Sequence, residues 1–183
     1  MRRMVYGAAV LKDNLTIKEI RSRVSYDPET GKFTWLHSDK MRPCWNSRFV
    51  GKNAINAPHS NGYLFGAISD KKVFAHRAAW AIIHGEWPDE GEIDHINHDK
   101  TDNRVKNLRL VNRKENSKNL SKSSKNKSGV TGVFKHSQTG IWQAQIRVNG
   151  KSVHLGSFEV FEDAVNARKN AEEYHGFHQN HGI

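Results

Sequence analysis

Residues 92–120 read EIDHINHDKTDNRVKNLRLVNRKENSKNL, and this stretch carries the most informative pattern in the chain. Residues 93–96 can form one β-strand and residues 108–111 a second, with a polar connection between them. Asn112, followed by Glu115 three positions later, is a capping box that predicts the start of a helix. The stretch therefore predicts a strand, a loop, a second strand and a helix.

Three side chains of this unit have the chemistry that phosphodiester hydrolysis requires, namely a base to activate water and a cation to neutralise charge. His95 is a candidate base. Asp94 offers a carboxylate and Asn116 a carbonyl oxygen, both hard ligands that Mg²⁺ accepts. Taken singly, each residue also has an ordinary interpretation, because Asp-His is a common dipeptide and Asn often caps and turns. We interpret the neighbouring His98 and Asp99 as loop residues.

The charge of the chain indicates a polyanionic partner. Among 183 residues, 29 are Lys or Arg and 19 are Asp or Glu, which gives a net charge of +10 with histidine neutral. Most of the excess lies between Lys100 and Lys127, where ten basic residues face two acidic ones. Such a run is commonly only a solvated surface, so by itself it leaves nucleic-acid binding open.

Composition excludes several classes of protein. The longest apolar stretch, residues 78–83, is too short to span a bilayer, and residues 1–11 lack the apolar core of a secretion signal. We therefore expect an intracellular protein with no membrane partner, in the cytoplasm of a bacterial host if a phage encodes it. Cys44 is the only cysteine, which excludes an internal disulfide and a four-cysteine zinc site.

Local patterns predict further elements before residue 92. Apolar spacing after Asn14 and Thr16, either of which could cap it, predicts a short helix, and residues 32–36 alternate as a strand. A hairpin is expected around residues 69–71, and residues 76–84 predict a helix that ends at Gly85. Residues 38–60 yield no prediction.

A Ser-, Lys- and Asn-rich segment without apolar residues, 121–129, is typical of a linker. We place the domain boundary there, with domains at residues 1–120 and 130–183.

The second domain begins with alternating residues 141–148, after which Asn149-Gly150 is a favoured hairpin turn. The turn pairs Ile146 with Val153, Ala144 with Leu155, Arg147 with Ser152 and Gln145 with His154. A helix over about 160–175 follows, and its packing side is expected to carry Phe161, Ala164, Ala167, Ala171 and Tyr174. His175, His178 and His181 recur near the end of the chain, where we expect a frayed tail.

The first domain closely resembles the HNH endonucleases of the phage and intron-encoded homing type. The resemblance covers about residues 15–120 and is carried by residues 26–35, 74–80, 85–88, 93–97, 102–104, 106–111 and 115–116. It implies that His95 is the general base, that Asp94 and Asn116 hold the metal, and that Asn107 braces the loop and orients the histidine. Many members have His where this chain has Asn116. That difference weakens the ligand set, although Mg²⁺ remains favoured, with Mn²⁺ as the alternative.

The second domain resembles the plant ethylene-response-factor (APETALA-two type) DNA-binding domain. The similar residues are 128–133, 141–147, 154–158 and 162–164. In that family a three-stranded sheet lies in the major groove, which implies that His136, Gln145, Arg147 and His154 face DNA. Lys135 and Lys151 are added as phosphate contacts. The fold class expected is α+β: a nuclease domain containing a ββα-metal (HNH) motif at about 92–120, then a small three-stranded antiparallel sheet packed on one helix.

These observations predict a site-specific, metal-dependent endonuclease that nicks double-stranded DNA. We expect a monomer without an obligate protein partner. The basic stretch between the domains would hold the DNA backbone through Arg109, Arg113, Lys114, Lys118, Lys122, Lys125 and Lys127. The alternative from another class is a sequence-specific DNA-binding regulator with an inactive HNH site. An RNA-directed nuclease is a weaker third option.

Overall fold

The computed structural model describes residues 15–88 and 90–183, together with every side chain in those ranges except Arg113 and Lys114. The chain divides into two compact units, one ending at Leu110 and the other running from Val111 to Ile183. Each is described by itself below. The sequence-based boundary at residues 121–129 lies after this division.

The first unit contains three helices and eight strands in its described part. The helices are α1 (Ile17–Arg23), α2 (Pro43–Phe49) and α3 (Ala75–His84). The strands are β1 (Val24–Asp27), β2 (Lys32–Trp35), β3 (Asn53–Ala54), β4 (Ala57–Pro58), β5 (Leu64–Ile68), β6 (Lys71–Phe74), β7 (Glu92–His95) and β8 (Leu108–Val111). They form three small sheets, with strand orders β1-β2-β3, β4-β5-β6 and β7-β8.

The predicted helices of this unit are confirmed, and local chemistry explains their ends. Thr16 caps α1 through a reciprocal capping box with Glu19. Gly85 ends α3 in the left-handed conformation. Between them, α1 and α3 pack over a buried core that includes Ile20 and Ala78, both 0% exposed. The predicted hairpin is confirmed as β5 and β6.

Residues 38–60, where no element was predicted, contain α2 and the short strands β3 and β4. Pro43 occupies the first turn of α2, where its missing amide hydrogen costs no helical bond. No residue of this helix is buried, so its aromatic side chains remain partly accessible.

The second unit is a three-stranded antiparallel sheet packed on a helix, as predicted. The sheet has the order β11-β10-β9, from β9 (Val133–Lys135), β10 (Trp142–Val148) and β11 (Lys151–Phe158). Helix α5 (Phe161–Tyr174) covers it over a core of Val133, Ala144 and Ala164. The α+β fold class is therefore confirmed.

Two details of this unit differ from the prediction. Ala144 pairs with Gly156 rather than with Leu155, because a β-bulge shifts the register between Ala144 and Gln145, while the other three predicted pairs are confirmed. Tyr174 is 85% exposed, so it does not belong to the packing side of α5.

The predicted helix after Asn112 is a single turn, α4 (Arg113–Asn116), followed by a 3-10 turn at Ser117–Asn119. Its capping box is present, with reciprocal bonds of 3.0 and 2.9 Å between Asn112 and Glu115. Regular helix stops there because the next backbone groups pair with the end of the chain.

The C-terminal segment is ordered by hydrogen bonds, contrary to the expected frayed tail. The His178 amide donates to Lys118 O at 3.1 Å, the Gly182 amide to Leu120 O at 2.9 Å, and the Lys122 amide to Ile183 O at 3.2 Å. Residues 118–122 therefore belong to the compact second unit, which explains why the unit begins before the predicted linker.

Candidate functional site

The residues of the candidate site in the first unit lie on β7, on β8 and in the loop between them. Asp94 and His95 are the last two residues of β7, and His95 is only 3% exposed. The Ile96 amide donates to Asn107 O at 2.9 Å and closes the loop where the two strands meet. The loop is thus held at its base, directly beside His95.

Asn107 links the two sides of this loop. Its side-chain oxygen accepts from the Asn97 amide at 3.0 Å, and its Nδ2 donates to Asp102 O at 2.8 Å. With 6% exposure, the amide is buried, and burial in low dielectric makes both bonds costly to lose. Asn107 therefore braces the loop, whereas its predicted effect on the orientation of His95 stays a prediction.

The side chain that contacts the His95 imidazole is Asn103, which the sequence analysis did not assign to the site. Asn103 Nδ2 donates to Thr101 O at 3.0 Å, and this bond turns Oδ1 toward His95 Nε2, 3.3 Å away. An amide oxygen only accepts, so this contact favours the neutral tautomer with the hydrogen on Nε2 and the lone pair on Nδ1. Asn103 is 1% exposed, so the contact is buried.

The hairpin of β1 and β2 supports Asn103 from behind. Tyr26 Oη donates to Asn103 O at 2.7 Å, and burial raises the pKa of Tyr26 to about 12, so the hydroxyl remains a donor. Gly31 has φ +71°, and a Cβ there would lie 2.5 Å from the Arg104 amide nitrogen. Only glycine allows this close approach. No local sequence signal reveals the contact between Tyr26 and Asn103, because more than 70 residues separate them along the chain.

Asp102 stiffens the far side of the loop. Arg104 donates two side-chain hydrogen bonds to its carboxylate, and Asn97 Nδ2 adds a third at 2.8 Å. The guanidinium lowers the pKa of Asp102 to about 2. Asp99 accepts from the Thr101 amide at 2.9 Å and so acts within the loop, as expected. His98 has φ 65° in the same turn.

Aromatic rings enclose the other side of His95. The Tyr63 ring centroid is 5.6 Å and the His76 centroid 5.4 Å from that of His95. Burial lowers the pKa of His76 to about 3, so this neighbour is neutral. Burial likewise lowers the pKa of His95, against the opposing effect of the Asn103 hydrogen bond. His95 is therefore a neutral imidazole at physiological pH, as a base must be.

Asp94, the predicted metal ligand, is paired with Arg109, which the sequence analysis assigned to the DNA backbone. Arg109 Nε and Nη2 donate to Asp94 Oδ2 at 3.0 and 2.8 Å, and the Asp94 side chain is 12% exposed. A carboxylate has about four acceptor positions, so this pairing is compatible with a cation that shares the group. The donor chemistry fits a hard divalent ion that keeps most of its waters.

Asn116, the second predicted ligand, is the last residue of α4 in the second unit, and its role stays a prediction. Among the described residues, no cluster of three or more His, Cys, Asp or Glu could hold a metal ion.

The predicted DNA-facing residues of the second unit lie on the exposed side of its sheet. Gln145 pairs with His154 across β10 and β11, and Arg147 pairs with Ser152. All four side chains are exposed, whereas Ala144 and Ile146, on the opposite face of β10, are buried. Lys135 and Lys151 are exposed, but they pair with Trp142 and Val148, which share the face of β10 that carries Ala144 and Ile146, so their phosphate contacts stay predictions. His136, directly after β9, bonds to Thr139.

The predicted backbone-binding lysines differ in how firmly they are held. Lys118 Nζ donates to His175 O at 2.6 Å, and Lys122 Nζ donates to Gly129 O at 3.3 Å. Lys125 and Lys127 are exposed. The side chains of Arg113 and Lys114 lie outside the described residues. Their predicted contacts, like those of the four lysines, stay predictions.

Arg168 is a further residue that sequence reasoning missed. It is 3% exposed, and its Nη1 donates to Gln145 O at 2.8 Å. Its Nε donates to Glu172 at 2.8 Å. Arg168 thus fixes the backbone of β10 beneath the exposed Gln145 side chain. The sequence did contain one signal for this role, because Arg168 lies on the packing side of a helix that is otherwise rich in alanine.

Comparison with known proteins identifies the first part of this architecture. The family model for HNH endonucleases matches residues 73–118. "Protein 3.8" of Escherichia phage T7 is 29% identical over 101 residues, covering 55% of this chain and 84% of that protein. An "uncharacterized HNH endonuclease" of Acanthamoeba polyphaga mimivirus is 34% identical over 95 residues, covering 51% of this chain. The chain spans about half the length of that mimiviral relative, 48%. No solved structure matches the chain.

Within residues 15–88 and 90–183, none of the helices is long and apolar enough to cross a membrane.

The family match begins in β6 and extends through α3, β7 and β8, and so contains Asp94, His95, Asn103 and Asn107. Residues 73–118 therefore match the HNH endonuclease family, which makes this part of the chain a nuclease domain.

Proposed function

We propose that this protein is a site-specific, metal-dependent endonuclease that hydrolyses a phosphodiester of double-stranded DNA. The observation that carries the proposal is the buried His95 imidazole, whose Nε2 contacts Asn103 Oδ1, directly after the carboxylate of Asp94. Asp94 would supply a carboxylate to one divalent ion, with Mg²⁺ preferred over Mn²⁺. The homing type of HNH enzyme is the closest functional class.

His95 acts as the general base. Its Nδ1 takes a proton from a water molecule, and the resulting nucleophile attacks the phosphorus. Asn103 accepts the Nε2 hydrogen throughout and therefore stabilises the imidazolium that forms. The loop that Asn107 and Asp102 brace keeps the ring in place. When bound, the divalent ion neutralises charge on the phosphate and stabilises the departing oxygen.

Arg109 lies where it can respond to the substrate. The Arg109 guanidinium forms an ion pair with the Asp94 carboxylate. The Arg109 side chain is 28% exposed, so solvent and substrate can reach it. A phosphate brought beside Asp94 offers Arg109 a second anionic partner, and guanidinium binds phosphate well. Arg109 therefore holds the DNA backbone, as predicted from the sequence, while it keeps the ligand carboxylate in position.

The second unit supplies site recognition. The exposed side chains of Gln145, Arg147 and His154 lie on one sheet face, and this fits the resemblance to the ethylene-response-factor domain. A β-sheet of this size can enter the major groove, where base edges are distinguishable. Lysines of the unit add affinity that falls with salt. With one HNH motif per chain, a monomer nicks one strand.

The mimiviral relative is named as an HNH endonuclease, and this name supports a nuclease. The competing function is a DNA-binding regulator with an inactive site. Cleavage of long double-stranded phage DNA separates the two. Wild type and His95→Ala are incubated with Mg²⁺ or with a chelator, and the products are resolved on native and denaturing gels. His84→Ala, at an exposed histidine of α3, is the matched control.

The expected result is discrete, metal-dependent cutting by wild type and His84→Ala that His95→Ala loses. Cuts visible only on the denaturing gel establish nicking. Equal cutting by all three proteins contradicts the role of His95. Binding without cutting, with affinity that falls with salt, establishes the regulator instead.

A further inference from the structure

The first unit contains a cavity that neither the HNH motif nor the sheet domain uses. Its volume is about 330 Å³, and it lies between α2, β2 and the turn that joins β5 to β6. Its apolar walls are formed by Trp35, Met41, Trp45 and Phe49. The volume is at the lower end of the range for small-molecule sites, which suits a ligand of one or two rings.

The aromatic side chains of the cavity wall contact one another. The ring centroids of Trp35 and Trp45 are 5.2 Å apart, and those of Trp45 and Phe49 are 5.1 Å apart. Trp45 and Phe49 belong to α2, the helix without a buried residue, so these rings are not consumed by the core. Partly accessible aromatic rings are a usual site for stacking an unpaired base.

Arg23 forms the inner wall of the cavity and is only 7% exposed. Its guanidinium carbon lies 4.7 Å above the ring of Trp45. Its Nε is buried yet has no hydrogen-bond partner among the described residues. Because Arg23 lines the cavity, an acceptor on a bound ligand can pair with its guanidinium.

The charges around the cavity select the class of ligand. Arg23 and Lys40 contribute cations, whereas Asp70 and Ser69 contribute acceptors from the β5–β6 turn. A free phosphate would be repelled by the Asp70 carboxylate. A nucleobase has flat faces for the aromatic walls, carbonyl or ring-nitrogen acceptors for Arg23, and in most cases an amino donor for Asp70.

We propose that this cavity binds the base of one unpaired nucleotide in the DNA substrate, with Lys40 on the adjoining phosphate. A base in an intact duplex is inaccessible, so the nucleotide must be unpaired or flipped out. The cavity is at the turn end of the β5–β6 hairpin, whereas Tyr63 and His76, beside His95, flank its other end. These ends are about 13 Å apart, roughly four nucleotide steps.

This inference rests on the proposed function, and a binding experiment tests it separately. Full-length protein with His95→Ala is used in the presence of a chelator, so that no DNA is cut. The probes are a perfect duplex, the same duplex with one unpaired nucleotide carrying each base in turn, and the same duplex with an abasic residue at that position. Fluorescence anisotropy gives the dissociation constants.

At least one unpaired base is expected to bind about tenfold tighter than the abasic probe, since stacking on aromatic side chains has this strength. Trp45→Leu and Phe49→Leu each remove most of this preference. Lys40→Ala weakens binding of both bulged probes alike, and Lys18→Ala, at an exposed lysine of α1, is its matched control. Circular dichroism verifies that each variant is folded. If Trp45→Leu is unfolded, Phe49→Leu provides the test of the aromatic walls.

Equal affinity for base-containing and abasic probes overturns the inference, as does a preference that survives both aromatic substitutions. Failure of the proposed function is distinguishable, because it appears as an absence of metal-dependent cleavage by wild type. Cleavage without a preference for the unpaired base refutes only the proposal that the cavity binds a base. A preference for the unpaired base without cleavage refutes only the catalytic proposal.

Discussion

The His95 centre and the sheet face of the second unit both consist of polar side chains. They differ in how strongly burial and hydrogen bonds within the protein fix those side chains. His95 and Asn103 are 3% and 1% exposed, and hydrogen bonds fix both. Gln145 and Arg147 project from a buried strand into solvent. Proton transfer requires fixed geometry, whereas DNA recognition requires side chains that can adapt to a groove. We therefore expect abrupt effects at the first region and graded ones at the second.

The largest effect is expected for His95→Ala. Loss of the base should reduce the cleavage rate roughly 10³-fold, while the affinity for DNA stays within about twofold of wild type. Single-turnover cleavage and anisotropy measure the two quantities. A parallel loss of affinity would mean that His95 belongs to a binding surface, and the comparison between the regions would fail.

Gly31→Ala should disturb the buried centre from a distance. The new Cβ meets the backbone of Asn103 and Arg104, so we expect about 3 kcal/mol of lost unfolding free energy and a reduced cleavage rate. Gly51→Ala is the matched control, because Gly51 also has positive φ but has no atom within 4 Å of an added Cβ. It should cost about 1 kcal/mol. Urea denaturation of both variants measures the difference, and equal losses would contradict the proposed support of the loop.

His76 should make the buried region sensitive to acid. Because burial lowers its folded-state pKa to about 3, the unfolded chain binds the extra proton as the pH falls below 6.5, and stability decreases. His76→Phe removes this contribution, so between pH 7 and 5 it should lose about 2 kcal/mol less than wild type. Urea denaturation at each pH measures this, with His84→Phe as control. Identical pH dependence in wild type and His76→Phe would show that His76 is not the titrating group.

The smallest effect is expected at the sheet face. Arg147→Ala should weaken binding to the cleavage site by about 1 kcal/mol, or fivefold, and leave the cleavage rate at saturation unchanged. Lys169→Ala, at an exposed lysine of α5, should have no effect. Competition binding against unrelated DNA measures the change. A lower saturated rate in Arg147→Ala would show that the sheet face takes part in the chemistry.

Short-range patterns predicted where elements begin. Apolar spacing after Thr16 predicted α1, Asn112 with Glu115 predicted the start of α4, and the Asn149-Gly150 turn predicted the hairpin of β10 and β11. Alternation along β10 likewise identified its buried face. The register failed at Ala144, because a bulge depends on how two strands fit together.

The amino-acid sequence by itself determined the α+β class, the HNH motif with Asp94 and His95, and the sheet-plus-helix unit, since short-range periodicity and capping encode them. Only the tertiary structure decided that Asn103 contacts His95, that Gly31 and Tyr26 support it, and that Arg23 lines an aromatic cavity. The physical reason is distance along the chain. A contact between residues tens of positions apart leaves no periodic signal, and packing alone chooses between similar amides such as Asn103 and Asn107.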